Sequence, residues 1–172
     1  KNKGTGITMK QTTEQLAEIK VVGISARTNV IDEVNWETGK IFPTLKKYFH
    51  QELAKGILGR KKPGTTLCVY TDYKPDQYGN CKGEFTYLIG EEVDTFEGQP
   101  SHLNQVTIPV QTYEKFTCGP APMPAVVNDP WNKIMHMTKD EFGGEREFLA
   151  DFELYDERAA DHTNIVLDIY IG

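Results

Sequence analysis

Residues 150–172 read ADFELYDERAADHTNIVLDIYIG. Two runs rich in β-branched and aromatic residues flank a polar loop, Asp156 to Asn164, and the pattern predicts a β-hairpin. Strand side chains alternate between faces. Ala150, Phe152 and Leu154 therefore share one face of the first strand, and Asp151, Glu153 and Tyr155 the other. On the second strand Leu167, Ile169 and Ile171 form the apolar set, with Asp168 and Tyr170 opposite. Matching apolar face to apolar face makes Asp168 and Tyr170 the expected cross-strand neighbours of Glu153. An acid in mid-strand costs free energy unless it meets water or a cation. Aromatic faces around it would favour a cation by about 0.5–2 kcal/mol per contact. The same alternation also suits a hairpin whose polar face is simply wet.

An earlier stretch repeats the pattern. Tyr70-Thr71-Asp72-Tyr73 and Thr86-Tyr87-Leu88-Ile89-Gly90 parallel Phe152 to Tyr155 and Asp168 to Gly172. Tyr73 to Tyr155 and Gly90 to Gly172 are both 82 residues apart (155 − 73 and 172 − 90). One offset for both strands predicts an internal duplication, with a groove between two halves related by a pseudo-twofold axis.

The rest of the chain fits two such halves. Ile19 to Arg27 reads as a strand. A helix is expected up to about Lys55, carried by Ile41, Leu45, Tyr48, Phe49 and Leu53 at three- and four-residue spacing, with Asn35 as N-cap and Gly56 as stop. Pro43 conflicts with a helix interior, so the helix either begins near Phe42 or bends there. In the second half Gln105 to Cys118 reads as strand, and Asp129-Pro130 as N-cap and first helical residue. Thr138 and Glu141 have the spacing of a capping box. The expected organisation is a lead-in over 1–18, partly foreign to the natural chain or disordered, with Met9 as a natural start. One domain follows over 19–172, with repeats at about 19–93 and 105–172. The fold class expected is α+β, two tandem βαββ modules with antiparallel sheets and a central cleft.

Composition narrows the function. The 172 residues carry a net charge of −6, which argues against a binder of nucleic-acid backbone. The short basic run Arg60-Lys61-Lys62 reads as a solvated loop. Three cysteines, Cys68, Cys81 and Cys118, without a CxxC pair, point to free thiols and a reducing cytoplasm. No apolar run approaches a membrane span, so no membrane partner is expected. Ser25 and Ser101 lie in no nucleophile motif, the four histidines are scattered, and there is no phosphate-binding loop. No cofactor or metal is called for.

Several segments, kept in order and spacing, carry a resemblance: VVGISARTN (21–29), PGTTLCVYTDY (63–73), GEFTYLIGEEV (83–93), IPVQTYEKFTCGPAPMP (108–124), ADFELYDERA (150–159) and VLDIYIG (166–172). Together they resemble the GyrI-like small-molecule-binding domain, met also as the effector-binding domain of AraC-type and MerR-type bacterial regulators. The resemblance implies tandem βαββ modules, a cleft between them, and bulky, often cationic, aromatic ligands. It places the family's cleft glutamate on Glu153 and its aromatic on Tyr113. Relatives often carry Trp where this chain has Leu45. The resulting expectation is a sensor or sequestering module that binds a hydrophobic, cationic molecule through Glu153, Tyr113, Tyr155, Asp168, Trp36, Trp131 and Tyr170. Trp131 also fits a core role, since it shares a helical stripe with Ile134. The expected state is monomer or homodimer, without direct nucleic-acid binding, and with a separate DNA-binding regulator as partner. The alternatives are a small hydrolase using Glu153 as base and Tyr113 as donor, and a protein-binding inhibitor module.

Overall fold

The structure, a computed structural model, describes residues 6–75 and 83–172. Its elements in chain order are β1 (Met9–Leu16), β2 (Ile19–Asn29), α1 (Val30–Glu33), α2 (Ile41–His50), β3 (Thr66–Thr71), β4 (Glu84–Val93), β5 (Asn104–Ile108), β6 (Gln111–Ala121), α3 (Ala125–Met135), α4 (Lys139–Phe142), β7 (Ala150–Tyr155) and β8 (Ile165–Ile171). Each half runs two strands, two helices and two strands, one leading strand more than the expected βαββ, and the fold is α+β as expected. All eight strands join one antiparallel sheet in the order β1-β6-β8-β7-β3-β4-β2-β5. The halves meet where β3 pairs with β7.

Connection lengths force this sheet to curl. β1 and β2 are joined by Ala17 and Glu18 alone, yet stand six places apart in the strand order. In a flat sheet six spacings would span roughly 29 Å, whereas the linker reaches no more than about 11 Å. β5 and β6 pose the same constraint across Pro109 and Val110. The sheet therefore wraps around an inner core drawn from both halves, with Val21, Leu67, Val69, Leu88, Ile108 and Phe152 at its centre. The outer face carries two separate clusters. One, under α2, holds Tyr48, Tyr87 and Ile89; the other, under α3 and α4, holds Val126, Ile134, Phe142 and Ile169.

Local expectations fare unevenly. Pro43 sits in the first turn of α2, where its missing N–H costs nothing. The cap is not Asn35. The Glu33 carboxylate accepts from the amides of Lys40 (2.6 Å) and Ile41 (3.4 Å) at the helix start. The capping box at Thr138 and Glu141 is present. Asp129-Pro130 does not start α3, which begins at Ala125 with Pro130 inside it. Val126, Pro130 and Ile134 recur every four residues and are all buried, so packing sets the helix start rather than the proline signal. The polar lead-in is also corrected. Met9–Leu16 is an edge strand paired with β6 along its whole length, and an edge strand tolerates a polar outer row.

The duplication is real, but its offset is not constant. Val69 pairs with Leu88 and Phe152 with Tyr170, and all four face the inner core. The paired residues are 19 apart in the first hairpin (88 − 69) and 18 in the second (170 − 152). The offset is therefore 83 on the first strand (152 − 69) and 82 on the second (170 − 88). In a strand one residue reverses every side chain, so Tyr70 corresponds to Glu153, not to Phe152. Cys81 lies outside the described residues. Cys68 and Cys118 are buried free thiols.

β2 and β4 approach closely where Gly23 faces Gly90. A Cβ on Gly90 would lie 2.1 Å from the Val22 carbonyl oxygen, and one on Gly23 1.8 Å from that of Ile89. Backbone cannot yield as a flexible side chain can. Gly90→Ala is expected to lose at least about 1–3 kcal/mol in urea denaturation. Gly56→Ala, where nothing lies within 4 Å, should stay close to wild type.

Candidate ligand-binding site

A cleft of about 1930 Å³ opens on the outer face of the sheet, between α2 and α3, with β3 and β7 as its floor. Ordinary small-molecule pockets run to about 300–1,000 Å³, so there is room for a bulky, multi-ring ligand. Phe42, Phe49, Met123 and Met135 line it from the helical side while 37–70% exposed. Apolar side chains left open together at a concave surface mark a binding site more often than a stable bare surface.

Glu153 stands at the centre of the floor. It lies mid-strand in β7, directly across from Cys68 of β3 at the seam of the two halves. Only 4% of it is exposed. Its Oε2 accepts from the Tyr70 hydroxyl (2.9 Å) and the Trp131 indole Nε1–H (2.6 Å), and its Oε1 from the Tyr155 hydroxyl (2.8 Å). The donors come from three elements: β3, α3 and β7. Burial pushes the Glu153 carboxyl above the usual carboxylate range, opposed by the three hydrogen bonds. The same burial, with the nearby carboxylate, drives Tyr70, Tyr87 and Tyr155 well above an ordinary phenol, so all three stay neutral.

The contrast with the other buried acids is informative. Four carboxylates are buried among the described residues: Glu91, Asp151, Glu153 and Asp168. Arg60 lies 3.3 Å from Glu91, Arg146 2.6 Å from Asp151 and Arg158 2.6 Å from Asp168. The partners of Glu153 are all neutral. Asp151 is on the same face of the same strand, two residues away, and has both its arginine and the Tyr73 hydroxyl (2.6 Å). Among the described residues, three of the four buried acids thus have an arginine and Glu153 has no counter-ion.

The sequence-predicted set divides. Glu153, Tyr155 and Trp131 line the cleft. Trp131 is half-buried, its ring edge-on to Tyr70 at 5.4 Å, and both packs against the core under α3 and lines the cleft. Asp168 and Tyr170 are not beside Glu153. The register sets Ile169 opposite it and Tyr170 opposite Phe152, one residue from the expected pairing. Tyr170 stacks on Phe152 at 4.5 Å in the inner core, and Asp168 bonds Thr117 and Arg158. Tyr113 is buried in the same inner core, edge-on to Phe152 at 5.5 Å, so it cannot act with Glu153. Trp36 is 87% exposed on the α1–α2 connection, outside the cleft lining. Sequence reasoning missed Tyr70 and Tyr87. The duplication held the signal for Tyr70, since at the true offset of 83 it stands in the place of Glu153.

A buried acid with three neutral hydrogen-bond donors thus lies in a largely apolar cleft at the seam of a duplicated fold. Residues 12–172 match the family Cass2, Integron-associated effector binding protein, and the chain belongs to that family. A relative in Bacillus subtilis (strain 168), named "Putative transcriptional regulator protein YobU", is 23% identical over 153 residues, covering 89% of this chain and 91% of its own. The fold is shared with the integron cassette protein VCH_CASS2 from the mobile metagenome of Vibrio cholerae, at a TM-score of 0.72, 21% identity and 97% coverage of both chains. It is shared also with SAV2435 in a structure bound to tetraphenylphosphonium, at a TM-score of 0.70, 16% identity and coverage of 94% and 92%.

The raised Glu153 pKa has a consequence for stability. Between the unfolded and folded pKa values the native state holds more protons than the unfolded chain, so stability falls as pH rises through that window. Glu153→Gln removes the ionisation. The variant is expected to melt above wild type at pH 7–8 and to lose that advantage as the pH drops below the ordinary carboxylate range. Thermal denaturation from pH 4 to pH 8 checks both the sign and the window.

Proposed function

We propose that the cleft binds a hydrophobic organic cation and that the chain acts as a sensor or sequestering module in transcription or drug response. The observation that carries this reading is that, among the described residues, buried Glu153 has no counter-ion. A buried carboxylate without a cationic partner is unstable relative to a paired one, and a cationic ligand would supply that partner. The rings of Tyr70, Tyr155 and Trp131 around the acid add a cation-favouring surface. Formal charge along the cleft is acidic, with Glu33, Glu145, Glu153, Asp156 and Glu157 against Lys139 and Arg146. The tetraphenylphosphonium in the SAV2435 structure supports a ligand of this kind, and the regulator's name of the Bacillus relative supports a role in transcription. A DNA-binding partner and a cytoplasmic setting belong to the same reading.

The hydrogen bonding of Glu153 refines the ligand. Both oxygens already accept from protein donors, so the ligand has no need of N–H groups. A quaternary or phosphonium centre wrapped in rings fits better than a primary ammonium, which would need those oxygens to replace its own hydration.

Calorimetric titration with tetraphenylphosphonium and the neutral triphenylphosphine oxide tests the charge argument. A hydrogen bond or pairing with a charged group is worth about 1.5–3 kcal/mol. Glu153→Gln should therefore weaken the phosphonium roughly ten- to a hundredfold and leave the neutral compound nearly unchanged. Phosphonium affinity in wild type should rise with pH as Glu153 ionises, above the usual carboxylate range. Equal losses for the two compounds would mean that the cleft selects by shape alone.

A further inference from the structure

Two features take no part in the cleft: the basic run Arg60-Lys61-Lys62, and a second cavity on the opposite face of the sheet. The cavity, about 330 Å³, lies where β1 turns into β2, and Leu16, Ile19, Leu67, Phe152, Leu154 and Tyr170 provide its apolar walls. Its volume is at the small end of the range for small-molecule sites, about 300–1,000 Å³. It is the mouth of the curled sheet, a common place for such sites. Its floor is the inner core, where the Phe152 and Tyr170 rings stack 13° from parallel and are only 1% and 6% exposed, so the half-buried Leu16 and Leu154 present the open apolar surface.

Charge around the mouth is not balanced. Glu14, Glu18, Glu92, Lys61 and Lys62 line it. Each acid already has a lysine: Glu14 with Lys115 at 3.4 Å, Glu18 with Lys20 at 2.9 Å, and Glu92 with Lys61 at 3.8 Å. Among the described residues no carboxylate lies within 4.0 Å of Lys62. The one charge in this lining without an ion-pair partner among the described residues is therefore that of Lys62, opposite in sign to Glu153 of the cleft.

We propose that this cavity is a second ligand site, selective for a small apolar anion: a one- or two-ring, or short-chain, carboxylate or sulfonate. The apolar body lies against Leu16 and Leu154, and the anionic group reaches out to Lys62. The two sites are back to back on β7, where Phe152 and Leu154 face the cavity while Glu153 and Tyr155 face the cleft. Occupancy of one side therefore bears on a strand that the other side also uses. This assignment rests on the cavity's own lining and not on the ligand of the cleft.

The probe is 8-anilinonaphthalene-1-sulfonate, titrated into folded protein by fluorescence and by amide chemical shifts on ¹⁵N-labelled chain. Saturable binding is expected, with the largest shifts at Leu16, Leu67 and Leu154. Lys62→Glu should weaken it about two- to fivefold, as suits an exposed ion pair, and added salt should have the same effect. Leu154→Trp should fill the cavity and abolish binding. If that variant melts early, the wild-type shift map and Lys62→Glu decide instead. Shifts centred on Tyr70, Trp131 and Tyr155, absence of saturable binding, or equal affinity for the uncharged N-phenyl-1-naphthylamine would each overturn the proposal.

Discussion

The arrangement around one buried carboxylate constrains much of this molecule. Glu153 accepts hydrogen bonds from β3, α3 and its own strand, so the seam of the two halves and the approach of α3 are fixed by the same three contacts. Each donor is an aromatic side chain with an apolar body and one polar atom. The polar atoms satisfy the acid, and the bodies form the wall that excludes water from it. A lysine or arginine at any of these positions would have paired the acid and closed the site electrostatically, as Arg146 does for Asp151. Leaving Glu153 with neutral partners keeps its field directed into the cleft, where low dielectric strengthens it.

The duplication explains why such a site lies at the seam, and why it is asymmetric. β3 and β7 are equivalent strands that pair with each other, so the residues nearest their junction come from both halves. Perfect symmetry would place either two acids or two phenols there. Two carboxylates so close could not both ionise, and two tyrosines would carry no charge. The chain resolves this with Tyr70 in one half and Glu153 in the equivalent place of the other, and the phenol donates to the acid. The asymmetry continues in the walls. α2 contributes Ile41, Phe42, Leu45 and Phe49, all apolar, whereas α3 contributes Trp131, whose indole N–H is a donor.

Much of this was legible in the sequence. Alternation identified the last hairpin and placed Glu153 and Tyr155 on one face. Repetition identified the two halves. What pattern could not supply was register across strands. Pairing the apolar faces of β7 and β8 is a sound rule for a sheet with one wet side, but here both faces are covered. With Ile169 and Phe152 both buried in different cores, hydrophobicity no longer says which faces match. That ambiguity moved Asp168 and Tyr170 to the wrong side, whereas Tyr113 was placed by the family resemblance and is buried in the inner core. The single extra residue in the first hairpin had the same effect on the repeat, hiding Tyr70. Trp131 was ambiguous for a different reason: a residue on a core-facing stripe can still overhang a cleft when the neighbouring helix stands off.

Two-sided burial also bears on how the site can work. A strand whose alternate residues serve an inner core and an outer cleft cannot shift by one residue without exchanging the two sets, so β7 is held in register by Phe152 on one side as firmly as by the Glu153 contacts on the other. Close packing of the inner core makes that resistance stiff. The floor of the cleft is thus the rigid part, and the adaptable parts are the exposed side chains of α2 and the Met residues above it. On the proposed reading, methionine and phenylalanine side chains on the cleft walls can re-pack around ligands of different outline, while the Glu153 charge stays in one place. A fixed acid under a compliant apolar roof favours recognition by charge and approximate bulk over recognition by shape.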